Sequence, residues 1–294
     1  MRAPSDSESL CSLIQILSEN PDLGKYFSIV IYDNSPEGQN SVSESSFPVF
    51  YKHDATNAGL PAAYNFALTR AFEDHCEWLL LLDQDTPITR QFVAELIACA
   101  RTLRNQSQVA SIVPKLLVDD KIYSPIAHFI DQLRHQYRRS HAVSRGALGV
   151  QEGRLVAYNS GAALRVAAVR SIGGFPEEYW LDYLDHALFH SLFVRGYHMY
   201  VMQAQIAHGA SQANVSDVPG WRQRNLLIAQ GRFVQQTGNV VDRILYRIWL
   251  LRYSRILRNR HPDKRLWREA IFKALFLKSG TKQDSGARGI SQDP

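Results

Sequence analysis

The chain has little cysteine and no apolar run long enough to cross a membrane. Its 294 residues include three cysteines, Cys11, Cys76 and Cys99, and none has the spacing of a zinc site. Such a sparse, odd set is not a disulfide framework, which favours a reducing cytosol. The apolar runs fall short of the roughly 20 residues of a membrane helix, and the first residues lack the apolar core of a signal peptide. We therefore expect a cytoplasmic protein, either soluble or peripheral to a membrane.

Most of the chain also lacks a large excess of either charge. The formal net charge is +5, but residues Asp242–Lys273 contain ten Lys and Arg against three Asp and Glu, so the remainder is slightly acidic. A nucleic-acid-binding protein usually carries its basic surface on the core domain. The uneven distribution therefore predicts no nucleic-acid partner, and it assigns the basic character to a C-terminal arm.

The first two-thirds of the chain alternates strand-like and helix-like patterns. Strands that are apolar throughout and separated by helices are typical of a parallel sheet covered on both faces. This pattern predicts the α/β class. The predicted strands are Phe27–Asp33, Pro48–Asp54, Glu77–Asp83, Val109–Val118 and His198–Gly209, and the predicted helices are Ala58–Phe72, Thr89–Arg104 and Asp182–Tyr197.

The remaining segments are less regular. Residues Ser124–Gly153 show no clear period and are interpreted as loops with short strands. From Trp221 onward the pattern is mostly helical and rich in arginine, and the last residues are polar enough to be disordered. The predicted organisation is a catalytic domain over residues 1–225, a basic helical region over 226–278 and a disordered tail over 279–294.

Two aspartates, Asp83 and Asp85, directly follow the most strand-like segment, WLLLL. Ligands bind beyond the carboxyl ends of parallel strands, and side chains two residues apart in an extended chain point the same way. Two converging carboxylates suit a hard divalent ion, Mg²⁺ or Mn²⁺, that keeps open positions for phosphates. The alternative is a solvated acidic turn.

Other polar residues follow the predicted strands or begin the predicted helices. Asp33 ends an earlier strand, where its carboxylate can accept a hydrogen bond from a base ring N–H, or can serve only the turn. The stretch from Asn57 through Gly59 to Asn65 places small residues at a helix start, where backbone N–H groups can bind an anion. A plain transition from loop to helix is the alternative.

Two acids near a later helix start, Asp182 and Asp185, are candidates for a general base. Acids at a helix start also serve as N-caps and interact with the helix dipole. His208 follows the strand His198–Ala207 and is a candidate third metal ligand or a structural histidine.

The order of these motifs resembles a known family. The segments YDNS, NAGLPAAYN, WLLLLDQDT, YNSGAALR, IGGFPEEYWLDYLD, AHG and WRQRN occur in this order between about Ile29 and Asn225. Their order and spacing are similar to those of the inverting family-two glycosyltransferases of GT-A fold. Within that family the chain most resembles the rhamnosyltransferase-like members that build bacterial surface polysaccharides such as O-antigen.

The resemblance implies a role for each matching residue. Asp33 would contact the nucleotide base, Asp83 and Asp85 would hold a metal on the donor diphosphate, and Asp185 would be the catalytic base, with Asp182 its alternative. The remaining matches concern residues around this centre. Asn159, Ser160 and Gly161 would line the donor-sugar and acceptor pocket, His208 would lie near the metal, and Arg222, Arg224 and Asn225 would form a loop that closes over the diphosphate.

Two positions depart from the family pattern. Members usually open with a strand of the type VxVVIPTYN, whereas this sequence begins at a helix-like segment, and the acid often found two positions after the base is Ala187 here. A misassigned start codon, a differently built pocket or a catalytically impaired sugar-nucleotide-binding partner would each account for the missing strand. A sugar nucleotidyltransferase is a further alternative, but its Gly-rich, basic opening signature is not present.

The resemblance further implies the substrates. The donor would be dTDP-rhamnose or a UDP-sugar, and the acceptor a glycan or a lipid-linked glycan. The segment Arg243–Arg260 interleaves arginines with large apolar residues, a composition that can lie on an anionic membrane at the inner face of the plasma membrane. A helix packed on the protein with solvated arginines is the alternative.

Overall fold

The computed structural model describes residues 6–39, 47–138, 147–207 and 216–276. The chain divides into two compact units, Met1–Val218 and Pro219–Pro294. Arg222, Arg224 and Asn225 therefore belong to the second unit, although the sequence placed them in the catalytic domain. The tail predicted to be disordered, 279–294, lies outside the described residues.

The first unit alternates helices and strands, as the apolar pattern predicts. Its described helices are α1 Glu8–Glu19, α2 Pro21–Gly24, α3 Leu60–Glu73, α4 Arg90–Thr102, α5 Phe129–Arg138, α6 Val166–Ser171 and α7 Leu184–Val194. Its described strands are β1 Ile29–Asp33, β2 Val49–His53, β3 Trp78–Leu80, β4 Val109–Val118, β5 Lys121–Ser124, β6 Ile126–Ala127, β7 Gly149–Gln151, β8 Leu155–Val156, β9 Ala163–Arg165 and β10 His198–Ala207.

The central sheet has six strands in the order β3-β9-β4-β10-β7, with β5 paired to β4. Strands β4 and β10 are parallel, whereas β9 runs antiparallel to both β3 and β4. Strands β1 and β2 form a separate parallel pair. The α/β class is confirmed, and the sheet is mixed rather than mostly parallel because β9, β5 and β7 join it in the reverse direction.

Local signals predicted several element boundaries. Strand β4 has the predicted bounds, and α4 begins where Thr89 was expected to cap it, since the Thr89 hydroxyl accepts a hydrogen bond from the Phe92 N–H at 3.1 Å. Helix α5 was not predicted, because its sequence is polar and only a few side chains, such as Ile130 and Leu133, are buried.

The core of the first unit lies between the central sheet and the helices α1 and α4. Leu17, Phe92, Val93 and Ile112 are completely or almost completely buried in it. Apolar residues three or four positions apart supply this face of each helix, and the residues of β4 are buried along most of its length. The packing fixes β3 and β4, whose ends lead to the candidate site.

Arg165 joins the edge of the sheet to its neighbours. Its Nε donates to the Val109 carbonyl at 2.9 Å, and one terminal nitrogen donates to the Leu103 carbonyl at 2.8 Å. Another terminal nitrogen lies 2.5 Å from a Glu77 carboxylate oxygen, and the guanidinium carbon lies 4.2 Å from the centre of the Trp78 ring. One buried side chain therefore fixes β9 against β4 and β3.

The second unit is helical, as the pattern after Trp221 predicts. It contains α8 Gly220–Thr237, α9 Val240–Arg260 and α10 Leu266–Phe276. Helix α9 begins at a capping box in which Asn239 and Asp242 exchange hydrogen bonds of 2.9 and 3.0 Å. In the part of the chain that the structure describes, no helix is both long and apolar enough to cross a membrane.

Replacing Arg165 with methionine should destabilise the protein by about 2 kcal/mol or more, because the buried hydrogen bonds to the Val109 and Leu103 carbonyls and the ion pair with Glu77 are lost. Chemical denaturation measures this loss. Arg170→Met is the matched control, since Arg170 contacts the exposed Phe72 ring from the outer side of α6. An equal effect of the two substitutions would contradict the role assigned to Arg165.

Candidate active site

The Asp83–Asp85 segment follows β3 but is not extended. Beyond β3 the Leu81 N–H donates to the Ala162 carbonyl at 2.9 Å, and the chain then turns at Gln84 and Asp85. The prediction that both carboxylates project from an extended strand is therefore wrong. The cause lies far away in the sequence, because helix α1 binds the backbone carbonyls of Asp83 and Gln84.

The Asp83 side chain is oriented by Ser160. The Ser160 hydroxyl donates to Asp83 Oδ2 at 2.5 Å, and the Thr86 hydroxyl lies 3.3 Å from the Ser160 hydroxyl. Ser160 is completely buried, and the Gly161 N–H donates to the Leu81 carbonyl at 2.9 Å. The structure thus brings together two predicted site segments, although Ser160 acts here on the aspartate.

Gly161 is a position that a larger residue would not fit. Its φ of 79° lies in the left-handed region, and an added Cβ would be 3.0 Å from Pro114 and 3.1 Å from Ile206. Its neighbour Asn159 accepts a hydrogen bond from the Ala162 N–H at 3.0 Å through its backbone carbonyl. These backbone contacts keep Ser160 facing Asp83.

Asp185 lies in the first turn of α7. The N-cap residue of this helix, Tyr183, has a φ of 67°, and the His186 N–H donates to Asp185 Oδ1 at 2.7 Å. Burial is the main cause that raises the pKa of Asp185, and together with the negative charges of Asp182 and Asp83, and against the lowering effect of the His186 N–H, it brings the pKa to about 7. The predicted base and the first predicted metal ligand are therefore close enough to repel each other.

Two tyrosines that the sequence analysis missed share this neighbourhood. Burial raises the pKa of Tyr64, and the charges of Asp83 and Asp185 add to the shift. Burial, Tyr123 and the charge of Asp185 likewise raise the pKa of Tyr158. Both tyrosines belong to the motifs NAGLPAAYN and YNSGAALR, so the motif matches contained the signal that would have identified them.

The start of α3 is covered by Trp180. The Trp180 Nε1–H donates to the Asn57 carbonyl at 3.0 Å, and the Leu60 N–H donates to the Trp180 carbonyl at 3.0 Å. Gly59 has a φ of 91°, and an added Cβ would lie 2.5 Å from that carbonyl. The Leu60 N–H, at the helix start that was expected to bind an anion, is thus used within the protein.

Asn65 also forms internal hydrogen bonds. Its amide nitrogen donates to the Phe175 carbonyl at 2.9 Å, and its amide oxygen accepts from the Phe175 N–H at 2.8 Å. This pair joins α3 to the segment that leads to Asp182. Asn65 therefore positions the backbone near the site, and its predicted contact with the donor stays a prediction.

Asp33 is buried at the end of β1 and accepts four hydrogen bonds. The Ser35 N–H donates to Oδ1 at 2.9 Å, and the Ser35 hydroxyl donates to the same oxygen. The Gln39 N–H and the Tyr51 hydroxyl donate to Oδ2 at 3.0 and 2.6 Å. Burial alone would raise the pKa of Asp33, but the Ser35 and Tyr51 hydrogen bonds outweigh it and lower the pKa. A carboxylate offers about four acceptor positions, so a nucleotide base would have to displace one of these partners.

The remaining predicted site residues belong to the second unit or fall outside the described residues. Arg222, Arg224 and Asn225 belong to helix α8 and not to a loop, which corrects the predicted conformation. Within the second unit the Arg224 guanidinium pairs with both carboxylate oxygens of Glu269 at 2.9 Å. The predicted metal ligand His208 lies outside the described residues.

The residues present fit a divalent ion held jointly with a substrate. Over the described ranges, no three or more His, Cys, Asp or Glu side chains are grouped to bind a metal. Asp83 does, however, offer a negatively charged oxygen ligand, and its charge raises the pKa of Asp185. A hard divalent cation favours such oxygen ligands and commonly takes its others from water and phosphate.

Comparison with known proteins identifies the family. The model of "Glycosyl transferase family 2" matches residues 8–173, more than half of the chain. This match includes Asp33, Asp83, Asp85 and Ser160 and ends before Asp182 and Asp185. A search of curated proteins finds no match.

Two solved structures are similar to this chain. The structure of S. aureus TarS residues 1–349 is 14% identical with a TM-score of 0.45, over 91% of this chain and 84% of that one. GalNAc-T7 with UDP, GalNAc and Mn²⁺ is 11% identical with a TM-score of 0.50, over 85% of this chain and 50% of that one. Since the family match spans more than half of its length, the chain belongs to glycosyl transferase family 2 and is a glycosyltransferase of GT-A fold.

Proposed function

We propose that this glycosyltransferase is metal-dependent and inverting, and that it moves a sugar from a nucleoside diphosphate to a glycan or lipid-linked acceptor. The observation that carries the proposal is the electrostatic proximity of Asp83 and Asp185, one a metal-type ligand and the other a carboxylate whose pKa is raised to about 7. A base with a pKa near the working pH is well matched to proton transfer. Mg²⁺ or Mn²⁺ would be held by Asp83 and Asp85, with His208 as a further ligand.

In the proposed reaction the acceptor hydroxyl attacks the anomeric carbon of the donor sugar. Asp185 takes the hydroxyl proton, with Asp182 as the alternative base. The bond from the anomeric carbon to the diphosphate oxygen breaks, and the nucleoside diphosphate leaves with the electron pair. A divalent ion, when bound, supplies positive charge for that leaving group. Much of the acceleration would come from holding donor and acceptor in line.

The donor proposed is dTDP-rhamnose or a UDP-sugar. GalNAc-T7, which has the same fold, was solved with UDP, GalNAc and Mn²⁺, a set that matches the proposed chemistry. The rhamnosyltransferase-like and surface-polysaccharide roles are supported by the order of the sequence motifs. In this proposal Asp33 stabilises the loop beneath the nucleotide base, because its carboxylate already accepts four hydrogen bonds from within the protein.

The second unit is proposed to place the enzyme on an anionic membrane at the inner face of the plasma membrane. Helix α9 exposes Val240, Ile244, Ile248 and Leu251, which are 69, 49, 38 and 43% accessible. Their spacing of four, four and three places them on one helix face. Exposed arginines continue along the same helix at Arg252, Arg255 and Arg258. An apolar helix face next to basic residues can bind an anionic membrane. An enzyme held at the membrane in this way would be close to an acceptor that is anchored to lipid.

Sugar transfer should require Asp83. With a panel of nucleotide sugars and Mn²⁺, we expect the wild type to release nucleoside diphosphate and Asp83→Ala to lose about 100-fold or more in kcat/KM, as for other positioned catalytic groups. Asp22→Ala is the control, because Asp22 is exposed and pairs only with Lys25 among the described residues. Turnover that is unaffected by chelators or by Asp83→Ala would contradict the proposal.

Replacing Asp185 with asparagine should raise the stability of the protein at alkaline pH and lower its activity. The pKa of Asp185 in the folded protein, about 7, lies above the ordinary aspartate pKa of 3.8. Ionisation of Asp185 therefore destabilises the fold progressively between these pH values and most strongly above about pH 7. Asp185→Asn should therefore raise Tm at pH 8 by about 2 °C or more and leave it unchanged at pH 4, while kcat falls about 100-fold or more. Thermal scans in chelator-containing buffer check the first effect, and a lower Tm at pH 8 would contradict it.

Binding to vesicles should depend on the exposed face of α9. Ile244→Glu should reduce flotation with phosphatidylglycerol-containing liposomes about tenfold, because an isoleucine loses its burial in the lipid interface. Val194→Glu is the control, since Val194 is 66% exposed in the first unit. Equal flotation of both variants and the wild type would exclude this surface as the membrane contact.

A further inference from the structure

The N-terminal turn of α1 binds the backbone of the aspartate segment. The Glu8 N–H donates to the Gln84 carbonyl at 2.9 Å, and the Ser7 hydroxyl donates to the same carbonyl at 3.3 Å. The Ser9 hydroxyl donates to the Asp83 carbonyl. Three donors from one helical turn therefore fix two consecutive carbonyls of the turn that carries Asp83 and Asp85.

A second contact holds the same segment further along. The Ile88 N–H donates to the Ser12 hydroxyl at 2.8 Å. Asp83 is thus fixed at two separate points, since Ser9 binds its backbone carbonyl while Ser160 binds its carboxylate. With the backbone and the side chain of the residue both held, the direction of the carboxylate is restricted.

The position of Ser9 is not explained by the needs of α1 alone. Ser7 already caps the helix, because its hydroxyl accepts from the Leu10 N–H at 3.3 Å. Ser9 lies inside the first turn and is only 2% exposed. A buried hydroxyl at that position needs a partner, and the Ser9 hydroxyl has two, the Ser7 hydroxyl at 3.2 Å and, outside α1, the Asp83 carbonyl.

We propose that Ser9 is a positioning residue for the metal-binding aspartates. The inference rests on the proposed function, in which Asp83 and Asp85 hold a divalent ion. Asp83 and Asp185 repel each other, so an unrestrained segment would move the carboxylate away from the site. Functional side chains have to be held within about 0.5 Å of the productive geometry, and the Ser9 hydroxyl supplies part of that restraint from a distant part of the sequence.

The test is Mn²⁺ binding by the full chain in the presence of uridine diphosphate, measured from the electron paramagnetic resonance signal of free Mn²⁺ against a blank of the diphosphate alone. Ser9→Ala should weaken Mn²⁺ binding about 10-fold or more, in line with losses of outer-shell partners at other metal sites. Ser9→Thr keeps the hydroxyl and should retain most of the affinity. Ser254→Ala is the matched control, because Ser254 is 4% exposed and donates only within α9, to the Leu251 carbonyl at 2.8 Å.

The outcomes separate this inference from the proposed function. If Asp83→Ala loses Mn²⁺ binding but Ser9→Ala binds like the wild type, the positioning role is wrong and the metal site stands. If Asp83→Ala and the wild type bind Mn²⁺ equally, the proposed metal site itself is wrong. A purely structural role for Ser9 would lower Tm in Ser9→Ala and leave Mn²⁺ affinity unchanged. Should Ser9→Ala not fold, Ser7→Ala removes another donor to the same turn and is judged by the same criteria.

Discussion

The gathering of carboxylates around one point is the constraint on which the site depends. Asp83 and Asp182 both raise the pKa of Asp185, which burial has already raised. Like charges at a partly buried site repel each other, so they remain there only if the surrounding structure holds them. The restraints are visible as separate contacts, namely Ser160 on the Asp83 side chain, Ser9 on its backbone and the His186 N–H on Asp185.

Asp33 and Asp185 show how the same side chain acquires opposite properties. Four hydrogen bonds lower the pKa of Asp33 despite its burial, whereas burial and repulsion raise that of Asp185. A carboxylate stabilised as an anion is a poor proton acceptor and a good structural anchor, while one with a pKa near 7 can exchange protons at neutral pH. The environments therefore favour a structural role for Asp33 and a base role for Asp185.

The sequence predicted those features that short-range signals determine. The cap at Thr89 and the bounds of β4 follow from residues within one or two turns of each element. The predicted conformation of Asp83–Asp85 was wrong because the observed turn is held by hydrogen bonds from Ser7, Glu8 and Ser9, more than seventy positions earlier in the sequence. The roles of Asn65 and Gly59 depend on Phe175 and Trp180, which no local pattern connects to α3. Spacing selected the candidate residues, and long-range contacts decided which hydrogen bonds these residues form.

The acidic character of the site links the two halves of the proposed mechanism. A nucleoside diphosphate would bring further negative charge near Asp185. The pKa of Asp185 would then rise above 7, and the base would be protonated at neutral pH. Positive charge at Asp83 would have the opposite effect, because it would remove the repulsion that Asp83 exerts on Asp185. Under the proposed function, one divalent cation would therefore neutralise the leaving group and also keep the base ionised. Accurate placement of Asp83 by Ser9 and Ser160 would serve both purposes.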